Sequence, residues 1–85
     1  MPTISQFLGI SILMFWRDHR PPHFHVRYGE HHAEILIETG VVTGRLPPRV
    51  LGLVQEWRVL HTKQLLEDWR RAQMKRPLLR IKPLE

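Results

Sequence analysis

Cysteine is missing from this 85-residue chain. Its absence excludes disulfide staples, thiolate metal sites and cysteine nucleophiles, and gives no sign of an oxidising compartment. No apolar run approaches the roughly 20 residues that a membrane span requires. The opening Met1-Pro2-Thr3-Ile4-Ser5 lacks the positive start and the apolar stretch of a secretion signal. We therefore expect a cytoplasmic protein without membrane contact. Repeats and low-complexity segments are lacking too.

What is present is globular in composition, with 42% hydrophobic and 25% charged residues. A chain of this length is expected to form one domain, residues 1–85. It buries only roughly 60–65% of its unfolded surface, so its stability margin is thin. The formal net charge of +5 favours a polyanionic partner such as RNA, or an acidic protein.

Alternation of apolar residues predicts a first strand over residues 10–16. Pro21 and Pro22 then stiffen a loop. Residues 23–28 and 31–38 read as a hairpin joined by Gly29-Glu30, a glycine-first turn suited to type II′ geometry. That turn sets the pairing: Phe24 opposite Ile35 and Val26 opposite Ala33 on one face, His25 opposite Glu34, Arg27 opposite His32 and His23 opposite Leu36 on the other. A slip of one residue would mix the apolar and polar faces. Val41-Val42-Thr43 could extend the sheet, and residues 78–81 could add an edge strand. Pro47-Pro48 opens a long helix reaching about Met74, with Val50, Leu53, Val54, Trp57, Leu60, His61, Leu65 and Ala72 on one stripe. At 1.5 Å per residue it would be roughly 40 Å long and would overhang the sheet. The expected fold is α+β: a three- to four-stranded, mainly antiparallel sheet with one long C-terminal helix packed on one face.

The chemistry-bearing segment is Asp18-His19-Arg20-Pro21-Pro22-His23-Phe24-His25. His23 and His25 lie two apart on a strand, so their rings leave the same face, away from Phe24. His19 and Asp18 sit on the loop that feeds this strand, and the register brings Glu34 opposite His25. Three readings fit. His19, His23 and His25 could bind a divalent metal such as zinc. The same histidines, with Glu34 orienting an imidazole, could do general acid–base work on a phosphodiester. Or the rings could simply fill an interface in a non-catalytic adaptor. Arg20 and Arg27 beside the site, and Arg70, Arg71, Lys75 and Arg76 late in the helix and in the tail after it, are the candidate phosphate contacts. The helix dipole alone would also account for the late group. His61 reads as a buried residue needing a partner, Trp57 as core and Trp69 as an edge residue able to anchor a partner. Leu51, Val59 and Leu66 lie off the stripe and suggest a second contact face, such as that of a homodimer.

Several strings together resemble one family: the opening Met1-Pro2-Thr3-Ile4-Ser5 with Phe7 and Gly9-Ile10, then Asp18-His19-x-Pro21-Pro22-His23-Phe24-His25, Tyr28-Gly29-Glu30, Gly44-x-Leu46-Pro47, Glu56-Trp57, His61 and Trp69. The chain resembles the small bacterial DUF4160 proteins, whose function is unknown. Members are often encoded beside a second small protein, in an arrangement like a toxin–antitoxin operon. The resemblance therefore implies a partner protein from a neighbouring gene, and an RNA- or translation-directed activity. It carries over no catalytic residues, so the roles proposed for the histidines rest on their chemistry alone.

Overall fold

The computed structural model describes residues 2–85. Five strands form one antiparallel sheet in sequence order: β1 (Thr3–Phe7), β2 (Ile10–Leu13), β3 (His23–Tyr28), β4 (His31–Leu36) and β5 (Val42–Arg45). Two helices follow, α1 (Pro48–Leu60) and α2 (Thr62–Gln73). The α+β class is as expected, but the details differ. The sheet has five strands rather than three or four, and the long helix is two.

The β3–β4 hairpin has the register read from its turn, with Phe24 opposite Ile35, His25 opposite Glu34 and His23 opposite Leu36. Gly29 takes φ 58 at the first turn position, where a side chain would be strained. The β1–β2 hairpin turns through Leu8 and Gly9, at φ 52 and 79. A leucine in a left-handed turn position lacks the Asn-Gly or Asp-Gly signature, which is why this hairpin is hard to see in the sequence. The strand expected over residues 10–16 ends at Leu13, because Trp16 and Arg17 form a turn in which Arg17 takes φ 54. The extension expected near Val42 is β5. Its Gly44 is pressed against the neighbouring strand: a Cβ there would lie 2.6 Å from the His32 carbonyl oxygen.

The helix breaks at His61, at φ −124 and ψ 26. The Thr62 hydroxyl donates to the Arg58 carbonyl at 2.8 Å, a back-bond of the type that bends helices. The roughly 40 Å overhang therefore does not form; the longest dimension of the molecule is 33 Å. Leu60, expected on the buried stripe, is 62% exposed, because its place on α1 falls at the edge of the face formed by Val50, Val54 and Trp57. The core gathers Ile4, Ile12, Phe24, Val26 and Ile35 from the sheet with Val54, Trp57 and Leu65 from the helices. Residues 78–81 form no strand, but they run beside β1, with Ile81 N–H donating to the Ile4 carbonyl at 2.8 Å.

Asp68 pins this C-terminal run. Its Oδ1 accepts the Leu79 N–H at 2.8 Å, while its Oδ2 is buried with no partner. Burial pushes the Asp68 carboxyl above the usual carboxylate range, against the Leu79 hydrogen bond that lowers it. A raised pKa in the folded state means that ionisation above pH 3.8 costs stability. Asp68→Asn should thus gain stability relative to the parent protein as pH rises from 4 to 7, read from urea midpoints. A difference that does not change with pH would contradict this.

Candidate metal centre

Strand β3 alternates Phe24 and Val26 into the core against His23 and His25 on the opposite face. These two rings are not in the open, as their face suggested. They are 2% and 6% exposed. The loop between β2 and β3 folds over them and brings Asp18 to both at once. Asp18 Oδ2 lies 2.9 Å from His23 Nε2 and 3.0 Å from His25 Nε2. Oδ1 of the same carboxylate accepts the His19 N–H at 2.8 Å and lies 2.9 Å from His19 Nδ1. From the other end of the molecule, Gln73 Nε2 donates to the Asp18 carbonyl at 3.3 Å and ties the loop to α2.

The far sides of the two rings are also engaged. His23 Nδ1 donates to the Pro21 carbonyl at 2.8 Å, and its ring packs against Trp69 with centroids 5.2 Å apart. His25 Nδ1 lies 3.3 Å from His32 Nε2, with the rings stacked at 9°, and 3.9 Å from Glu34 Oε1. Phe15 covers the other side of His25, 4.2 Å between centroids.

Burial alone would raise the Asp18 carboxyl. The hydrogen bond from His25, the His19 N–H and the charge of His23 outweigh it and hold the group at about 2. Burial lowers His25, against the raising effect of its Asp18 hydrogen bond. Both shifts have the same consequence in acid, because the unfolded chain takes up each proton first. The His25 contribution is lost as pH falls below 6.5. The Asp18 contribution, on the order of 2 kcal/mol, is present above pH 3.8 and lost as pH falls towards about 2. In chelator, the urea midpoint should fall in two stages across these windows, and Asp18→Asn should remove the lower one.

One ligand atom each from Asp18, His23 and His25 lies within 4.8 Å of the others, and His19, His23 and Glu34 form a second such group. The structure therefore gathers His19, His23, His25 and Glu34. It adds Asp18 as their hub, which chain spacing alone did not single out; an aspartate directly ahead of a turn into a His-x-His strand was the available signal. Glu34 stands just beyond hydrogen-bonding distance of His25, and His32 takes the nearer place. The arginines and lysines do not form one patch. Arg70 and Arg71 pair with Glu67 on α2. Arg20 and Arg27 are exposed and enter no ion pair among the described residues. Lys75 and Arg76 lie past the end of α2. Trp69, expected as an exposed anchor, is 6% exposed. His61 is half-buried at the helix junction, and its Nδ1 is buried with no partner.

A family model described as a domain of unknown function, DUF4160, matches residues 9–70, well over half of the chain and all of this cluster. The chain belongs to the DUF4160 family. Comparisons with curated proteins and with solved structures found no match. The family name supplies a class and no chemistry, so the reading of this DUF4160 site rests on its atoms. Among the described residues, no helix is long and apolar enough to cross a membrane.

Proposed function

We propose that this DUF4160 domain binds one divalent transition-metal ion through Asp18 Oδ2, His23 Nε2 and His25 Nε2. The observation that carries this is the bond from His23 Nδ1 to the Pro21 carbonyl. A carbonyl only accepts, so the ring proton of a neutral His23 is on Nδ1. Its Nε2 lone pair then points at a carboxylate oxygen 2.9 Å away, and His25 Nε2 faces the same oxygen at 3.0 Å. Where His23 is neutral, its lone pair faces that of the carboxylate oxygen, an approach that a cation among the three atoms would relieve. Two ligand atoms on one ion at about 2.1 Å stand roughly 3.0–3.4 Å apart, so the two distances from Asp18 Oδ2 need to open by only a few tenths of an ångström.

The outer contacts support the same reading. Ligating histidines characteristically hand their second N–H to a carbonyl, carboxylate or other acceptor, which orients the ring. Pro21 does this for His23, and His32 and Glu34 stand in that place for His25. Two imidazoles and a carboxylate suit zinc, nickel or iron(II) rather than calcium or magnesium. Acid–base catalysis by His23 and His25 is the weaker reading, since rings this buried do not reach a substrate directly. His19, 70% exposed at its side chain, stands at the mouth of the site and can supply a fourth ligand. A metal would lock the loop onto β3. The stiffened loop would also offer a fixed face to the partner protein that a two-gene, toxin–antitoxin-like module implies.

The test is titration of untagged, chelator-stripped protein with zinc, nickel and magnesium. One equivalent of zinc or nickel should bind, raising the melting temperature on the order of 10 °C at a hundredfold excess over Kd. Magnesium should do nothing. Absence of both stoichiometric binding and a thermal shift with zinc, nickel and iron(II) would overturn the proposal.

A further inference from the structure

Trp16 is not explained by the metal centre. Of the three tryptophans, Trp57 and Trp69 are buried, whereas Trp16 is 47% exposed. It is nevertheless held in place: its Nε1–H donates to the Arg76 carbonyl at 3.1 Å, across 60 residues of chain. The backbone on both sides is fixed as well. Arg17 N–H donates to the Ala72 carbonyl at 3.2 Å and Arg76 N–H to the Arg71 carbonyl at 2.9 Å. The result is an indole whose polar edge is satisfied and which leaves about half of its residue's surface open to solvent. Beside it, Trp16 and Lys75 line a shallow groove of about 290 Å³. Arg17, Lys75 and Arg76 are exposed and enter no ion pair among the described residues, unlike Arg70 and Arg71, which share Glu67.

We infer that Trp16, Lys75 and Arg76 form a binding platform for single-stranded nucleic acid, with one base stacked on the indole and adjacent phosphates on the two cations. Sequence-tolerant single-strand binding combines these two elements, an aromatic face for the bases and unpaired cations along the backbone path. The net charge of +5 adds long-range attraction of the right sign. An acidic peptide would satisfy the cations but offers nothing flat to the indole. A duplex keeps its bases stacked on one another. The platform uses none of the proposed metal ligands, so it stands or falls separately.

The experiment is a titration of the full chain with a fluorescently silent uridine dodecamer, in chelator, with affinity read by calorimetry and stacking by tryptophan emission. Since the other two tryptophans are buried, quenching reports Trp16. Trp16→Ala should weaken binding roughly 5- to 150-fold. Lys75→Asn with Arg76→Gln should weaken it too and flatten its salt dependence, by a slope of about 0.7 for each phosphate no longer neutralised. Lys75→Asn is chosen because Lys75 takes φ 56, which asparagine tolerates. Duplex RNA, inorganic polyphosphate and polyglutamate should each bind more weakly than the single strand and without quenching. No dodecamer binding at 100 µM, binding without quenching, or equal binding by a folded Trp16→Ala variant would overturn the inference. So would polyphosphate, polyglutamate or duplex RNA matching the single strand.

Discussion

Trp57→Ala should melt at least roughly 12 °C below the parent protein, and could leave little folded chain at 25 °C. Trp57 is fully buried and is where sheet, helices and C-terminal run meet. Its ring lies 5.7 Å from that of Phe7 on β1 and 5.8 Å from that of Phe24 on β3. Its Nε1–H donates to the Lys82 carbonyl at 2.9 Å. Truncating a buried tryptophan costs about 3–5 kcal/mol, through lost transfer energy and the cavity left behind. Against this, an 85-residue domain has a total stability of roughly 4–13 kcal/mol. The substitution also strands the Lys82 carbonyl, so the C-terminal run should loosen with the core. Thermal melting followed by far-ultraviolet circular dichroism reads the effect. A melting temperature within a few degrees of the parent would show that the core is centred elsewhere.

Asp18→Asn should leave the fold intact and severely weaken metal binding. The amide has the size of the carboxylate, and its oxygen can still accept the His19 N–H. Its nitrogen can donate to the Nε2 lone pair of a neutral His23. What it lacks is the charge and the second oxygen donor. Zinc affinity should fall by more than the roughly 10–100-fold that loss of an outer-shell partner costs. Glu34→Gln, altering a group 3.9 Å from His25 Nδ1, should stay within that smaller range. The order of the two effects is the informative result. If Glu34→Gln weakened zinc more than Asp18→Asn, the centre would be the second group, formed by His19, His23 and Glu34.

The two substitutions probe parts of the molecule that differ in how far they can be read from the chain. The register of the β3–β4 hairpin was legible, though its second strand ends at Leu36 rather than at residue 38: alternation and a two-residue turn leave one register, and that register sends His23 and His25 out on the face opposite Phe24. The β1–β2 hairpin was not, because Leu8 occupies a turn position where the usual signal is asparagine or aspartate. The helix break was likewise hidden. Val50 through Ala72 keep a helical spacing across it, and the back-bond from Thr62 that accompanies the break is a local choice that periodicity does not encode. In the site, residue types and facing were legible while exposure was not. The rings leave the strand away from Phe24, yet a loop closes over them.

By itself, then, the order of residues determined the local pairings: which side chains alternate to which side of β3, and which glutamate faces which histidine. These depend on neighbours a few positions apart, and the geometry of a turn is enough to settle them. Only the tertiary structure decided that Asp18 reaches both imidazoles with one oxygen, that Gln73 holds the loop down from a helix 55 residues away, and that Trp16 is braced by Arg76. Those contacts depend on how the loop closes and on where the broken helix leaves its end. Both follow from packing the whole core rather than from any local pattern.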